Sequence, residues 1–229
     1  DYNASLNQIL VSSHSFNEVW IIDHSTTTAE AKGHLGGNSG NGGDLLYRWG
    51  NPLAYNSGTK TQLFGQHNAY WIDSGFPFEN QIMIFNNGNG RTGGNYSTIE
   101  IIKPPVNGYN YIQSFPYGPT ATSWNYNYGN PNNVYAQNIS GAQQLSNGNV
   151  LFCNGPAGVF TEINSSGDMV WQYVNPVATS RILKQNDVVA QNSVFRSTFY
   201  PKSYSGFSGR TLKATITLEN VNPLAASCK

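Results

Sequence analysis

Three times in this chain a short aromatic strand runs into an Asn-Pro pair. The segments are "LLYRWGNP", "SWNYNYGNP" and "MVWQYVNP", ending at Asn51-Pro52, Asn130-Pro131 and Asn175-Pro176. Proline has no N–H to give to a further ladder, so it finishes a sheet edge and does not sit inside a sheet. A recurring edge implies several small sheets, each finished in the same way. Strand-like runs precede each ending: "NQILVSS" and "NEVWIID", then "NQIMIFNNG" and "YSTIEIIKPP", then "GNVLFCNG" and "GVFTEINSSGD". They are rich in β-branched and aromatic residues and bounded by Gly, Asn and Pro, and helical periodicity is nearly absent. After each ending a segment opens the next unit: "GQHNAYWI", "AQNISGAQQL" and "AQNSVFRSTF".

The pattern predicts an all-β fold, a β-propeller of four-stranded antiparallel blades. A sandwich is the competing reading, but it does not need a repeated ending. The units run over 1–52, 63–131, 136–176 and 188–229, as a single propeller domain or the C-terminal part of one. That is three to four blades, whereas propellers have roughly four to eight. The ring is expected to be incomplete without further blades, from upstream sequence or from a second chain or second copy. Intervals between the Asn-Pro pairs are unequal, and the Gly-rich stretch from Gly33 to Gly43 reads as an insertion. No signal peptide opens the chain, and its abrupt start at "DYNASLNQIL" reads as processing or truncation.

Charge narrows the partners. Only 10% of residues are charged and the net charge is zero, so nothing suggests nucleic acid or a polybasic membrane anchor. No apolar run approaches the roughly 18 residues of a membrane-spanning helix. Aromatics at 13% supply enough bulk for a core. Of the two cysteines, Cys153 lies in an apolar strand and Cys228 one residue from the end. They read either as a disulfide tying down the tail outside the cytosol or as a buried thiol and a loose one. Sequons stand at Asn3, Asn95, Asn138 and Asn164 and matter only in a secreted eukaryotic protein.

Carboxylates are few, so paired acids for glycoside cleavage are hard to find. No Ser-His-Asp order stands out, and no spacing suits a metal. "GGNSGNGGD" lacks the Lys-Ser/Thr of a phosphate loop, and "NNGNGR" lacks carboxylates for calcium. Histidine and arginine remain, which favours chemistry on an anionic group. His67 begins the innermost strand of its unit, where the repeat elsewhere has Asn138 or its neighbour. An imidazole there can act as base, acid or nucleophile, or simply bond a neighbouring carbonyl. His14 and Arg91 occupy corresponding strand-to-strand turns and can share one rim with His67 as donors for an anion, or be solvated turn residues. Asn68, beside His67, joins Arg91 as a substrate-binding candidate. His24 reads as a turn residue, and His34 lies in the Gly-rich insertion.

Together "ILVSSHSFNEVWIID", "GGDLLYRWGNP", "FGQHNAYWI" and "IMIFNNGNGR" resemble the arylsulfate sulfotransferase family, more loosely continued in "GNVLFCNGPAGVFTEIN" and "WQYVNP". The resemblance implies a six-bladed propeller of the bacterial periplasm or cell exterior. It implies transfer of a sulfuryl group from a phenolic sulfate donor to a phenol acceptor, without a nucleotide donor or other cofactor, through a sulfohistidine. It assigns the nucleophile to His67. Where the family has an arginine in a Ser-Ser-Arg turn, this chain has His14, which keeps a donor but loses the fixed charge and fork geometry. The family's other catalytic histidines fall upstream of Asp1. The alternative is a non-catalytic secreted propeller acting as a binding, adhesion or assembly module.

Overall fold

The computed structural model describes residues 1–58, 60–127 and 135–214. Among them there is no α-helix, only strands, turns and short 3-10 segments. The first sheet has the order β1 (Tyr2–Asn3), β2 (Gln8–Ser13), β3 (Glu18–Asp23), β4 (Leu45–Trp49). The second is built from β5 (His67–Trp71), β6 (Ile82–Asn86) and β7 (Thr98–Ile102). A separate hairpin follows, β8 (Val106–Asn107) with β9 (Asn110–Tyr111), and then β10 (Trp124–Tyr126) completes the second sheet in the order β10-β7-β6-β5. The third sheet runs β11 (Gly141–Gln144), β12 (Val150–Asn154), β13 (Val159–Ile163), β14 (Met169–Val174). All pairings between these strands are antiparallel. No ring closes among the described residues.

Each sheet thus has four strands, where the sequence units show three plus an opening segment. "GQHNAYWI" and "AQNISGAQQL" do supply β5 and β11, each beside the second strand of its own sheet. Two features differ from the sequence reading. The first sheet has an opening strand of its own, β1, only two residues long and defined by its pairing with Ile9 and Gln8. The segment "AQNSVFRSTF" contains no strand. It runs instead against the third sheet, where Val194 N donates to Gly155 O and Ser140 N donates to Phe195 O, both at 2.9 Å. Asn130-Pro131, Cys228 and the last residues of the fourth unit lie outside the described residues.

The second sheet is the centre of the molecule because both of its faces are apolar. Along β6, Ile82 and Ile84 join Val19, Ile21, Tyr47 and Trp49 of the first sheet. Met83 and Phe85, on the opposite face, join Ala142, Val150 and Phe152 of the third. The period-two alternation of a strand therefore splits one continuous apolar run between two cores. β14 differs from the central strands, since all six of its residues are exposed.

Glu100 of β7 is one of the acids buried inside this stack. It is fully buried and accepts from Asn86 Nδ2 and Thr98 Oγ1, each at 2.8 Å. Burial pushes its carboxyl above the usual range, outweighing those bonds and the nearby Arg91 charge. The folded protein therefore holds this proton more tightly than the unfolded chain, and stability falls as pH rises from the unfolded Glu range, about 4.3, through the folded value. Glu100→Gln keeps an acceptor for both bonds and removes the charge. The variant is expected to be at least as stable as the parent at neutral pH and to lose that part of the pH slope. Thermal unfolding across a pH series checks this, and superimposable pH profiles would contradict it.

Candidate functional site

His67 is set in place by the residue before it. Gln66 is buried, and its Nε2 donates to Ser13 O at 3.1 Å and Glu18 O at 2.8 Å, the two ends of the β2–β3 turn. Glu18 is held in turn by a bidentate pair with Arg48. That turn is the short 3-10 segment His14–Phe16, closed by Asn17 in the left-handed region at φ 57°. Asparagine tolerates that conformation, and its Oδ1 accepts from Gly65 N at 2.7 Å. Gly65 is itself left-handed, and a Cβ there would stand 3.2 Å from His14 Nε2. The chain entering β5 is therefore pinned beneath His14. The imidazoles of His14 and His67 meet edge to face, ring centres 5.1 Å apart at 64°.

Asn68 then breaks the ladder. It has φ 53°, and the β5–β6 register slips between His67 and Tyr70. A bulge of this kind re-aims the side chain beside it. Asn68 Oδ1 accepts from Ala142 N at 3.0 Å, tying β5 to β11. With its oxygen committed, Asn68 has only its amide N–H₂ to offer a ligand.

The decisive contact comes from β6. Asn87, directly after the strand and fully buried, places Oδ1 2.7 Å from His67 Nδ1. Its orientation is fixed by its other end, where Nδ2 donates to Ala136 O at 2.8 Å and Ile139 O at 3.0 Å. Two carbonyls demand donors, so the nitrogen faces them and the oxygen faces His67. The imidazole must then carry its proton on Nδ1, and in the neutral ring Nε2 keeps its lone pair. Gly88 follows at φ +77°, where a Cβ would lie 1.7 Å from Tyr96 O. Only glycine lets the turn after Asn87 close this tightly.

The structure brings His14 and His67 together and sends Arg91 elsewhere. The Arg91 guanidinium lies over the Tyr96 ring at 4.3 Å and the Phe64 ring at 5.1 Å, and donates to Thr98 Oγ1 at 3.2 Å. It lines a side cavity of about 460 Å³ with Trp49, Lys60 and Glu100. His24 pairs with Asn7 Oδ1 and packs against Tyr2, while His34 pairs with Asp44 at the surface. Burial pushes the Cys153 thiol up to about 11. No cluster of three metal-ligating side chains exists among the described residues, and no described helix is long and apolar enough to cross a membrane.

Sequence reasoning picked out His67 and His14 but gave Asn87 and Gln66 no role. The available signal was the doubled asparagine in "IMIFNNG". Two adjacent side-chain amides at the end of an apolar strand, on opposite faces, each need a buried partner.

Residues 1–198 match the family model described as Arylsulfotransferase (ASST), a span that takes in every site residue named above. The chain belongs to the arylsulfotransferase family. Membership supports an aryl sulfotransferase-like function, with an aryl sulfate as donor and a phenol as acceptor. A comparison with curated proteins finds no match.

Proposed function

We propose that this chain carries the nucleophile-bearing part of a propeller arylsulfotransferase acting outside the cytosol, with His67 as nucleophile. The observation that carries the reading is the bond between His67 Nδ1 and Asn87 Oδ1, which in the neutral ring places the proton on Nδ1 and the lone pair on Nε2. The Nε2 lone pair attacks sulfur, the S–O bond to the aryl group breaks, and phenolate leaves with the electron pair. The ring becomes an N-sulfonated imidazolium, whose Nδ1–H still donates to Asn87. An acceptor phenolate oxygen then attacks sulfur, the N–S bond breaks, and its pair returns to Nε2. His14, 5.1 Å away ring to ring, donates to a sulfate oxygen as charge shifts. Asn68 offers an amide donor beside it. Arg91 lines a side cavity with Lys60 and Tyr96. The three stacked sheets are read as successive blades, with β1, β5 and β11 innermost.

The test is incubation with para-nitrophenyl sulfate, with and without phenol. Phenol-dependent release of nitrophenol, together with a sulfuryl adduct on His67 when acceptor is withheld, is the expected result. Turnover with no adduct on that residue would remove the covalent mechanism.

A second reading has one observation in its favour. Among the described residues β14 pairs only with β13, and it exposes Met169, Val170 and Trp171. A free apolar edge invites strand addition by another chain, as in an assembly module or a ring completed in trans. The mass of the native particle against that of its denatured chain separates this from a lone species.

A further inference from the structure

Among the described residues, the His14–His67 pair itself carries no fixed positive charge. A sulfate ester carries a full negative charge, and sulfuryl transfer moves more charge onto the leaving oxygen, so a permanent cation near the oxygens is worth more than a neutral donor. Among the described residues three other arginines are engaged, and Lys60 and Lys103 line other cavities. Arg48 is paired with Glu18, Arg181 with Asp187, and Arg91 is wedged between two rings.

We propose that Arg196 supplies that charge. Arg196 lies in "AQNSVFRSTF", the segment that lacks a strand but runs along β11. It is held between two anchors. Phe195 O accepts from Ser140 N, and Phe199 exchanges bonds with the Gln143 side chain at 2.8 and 3.1 Å. Its side chain crosses Gly141, where a Cβ would stand 3.1 Å from Arg196 Cδ and 2.3 Å from Asn68 Oδ1. Glycine at 141 is what allows Asn68 and Arg196 to converge, and Asn68 is the direct neighbour of His67. Arg196 is exposed and makes no ion pair or side-chain hydrogen bond among the described residues.

Arg196 lines a cavity of about 620 Å³ together with Asn68, Tyr70, Gln143, Thr198 and Tyr200. Tyrosine rings and amide donors around one free guanidinium suit a ligand with an aromatic body and an anionic head. Two carboxylates also line the cavity, Asp1 and Asp73. Both Asp1 oxygens accept from backbone N–H groups, of Tyr2 and Trp71. Asp73 follows the end of β5 opposite to His67. Neither pairs with Arg196. The ligand class is an aryl sulfate whose oxygens are held by the Arg196 fork, and this assignment rests on the transferase reading for its catalytic meaning but not for its binding.

Binding and turnover are therefore measured separately. Binding uses His67→Ala protein, which cannot turn over, with phenyl sulfate and inorganic sulfate as probes at several ionic strengths. Arg196→Gln in that background is expected to weaken phenyl sulfate at least tenfold and to flatten the salt dependence, with Arg196→Lys recovering part of the loss. Stronger binding of phenyl sulfate than of inorganic sulfate marks an ester site, and the reverse order overturns the aryl sulfate assignment. With His67 intact, Arg196→Gln is expected to raise KM for para-nitrophenyl sulfate and lower kcat. Phenyl sulfate affinity unchanged within twofold by Arg196→Gln sinks the proposal, whatever the enzyme turns over. A parent that binds through Arg196 yet transfers nothing leaves the proposal standing and removes the catalytic reading. A parent that binds neither probe removes both.

Discussion

Replacing His67 with alanine is expected to abolish sulfuryl transfer from para-nitrophenyl sulfate to phenol, by roughly four to six orders of magnitude, the scale seen when a covalent catalyst loses its nucleophile. The size follows from the mechanism. Without Nε2 the proposed covalent intermediate cannot form. Folding is expected to survive. His67 is half-buried at the first position of β5, and its ladder partner Phe85 is secured by the cores on either side of β6. The cost to the fold is mainly an Asn87 oxygen left without its donor, about 1–3 kcal/mol. The check is turnover per folded molecule, with unfolding followed in parallel. Activity retained within tenfold in a folded His67→Ala protein would place the nucleophile elsewhere.

The same arrangement explains what was legible in the sequence. Sheet membership was, because the Asn-Pro endings and the β-branched runs are local signals, and β2 to β4, β5 to β7 and β11 to β14 lie where those signals put them. β1 was not, since two residues carry no pattern and exist as a strand only through Gln8 and Ile9. The segment after Val189 reads like the earlier openings, yet it bonds to Gly155 and Ser140 in place of a ladder partner. For His14 the sequence offered a rim shared with His67 beside a reading as a solvated turn residue, and the two rings do meet, with centres 5.1 Å apart. The direction of Arg91 was not legible. It depends on Gly88 turning left-handed and on Phe64 and Tyr96 presenting their rings, contacts that no spacing encodes. Nor was the role of Asn87, whose orientation is set by Ala136 and Ile139, some fifty residues further along the chain.

Asn87 therefore carries the second large prediction. Asn87→Leu keeps the approximate shape of the side chain and removes all three of its hydrogen bonds. The carbonyl of Ile139 loses this donor, that of Ala136 keeps only the longer bond from Ser97 Oγ, and His67 Nδ1 loses its acceptor. Buried groups left unpaired cost about 1–3 kcal/mol each, so the variant is expected to unfold at lower temperature. The catalytic loss has a separate origin. With Nδ1 unheld, the imidazole is free to carry its proton on Nε2, the atom that must attack, and holding the wrong tautomer costs other histidine catalysts about 10⁴. A fall of 10² to 10⁴ in kcat is expected, with KM changed far less. Asn87→Asp separates the two effects. Its carboxylate still accepts from Nδ1 and keeps the tautomer, but it faces two carbonyls without a donor, so it is expected to lose more stability than activity. Nitrogen NMR of the His67 ring reads the tautomer directly. The parent and Asn87→Asp should show the proton on Nδ1, and Asn87→Leu a mixture. A parent ring protonated on Nε2 would mean that Asn87 orients His67 for something other than attack through that atom, and the transfer mechanism would have to start from a different residue.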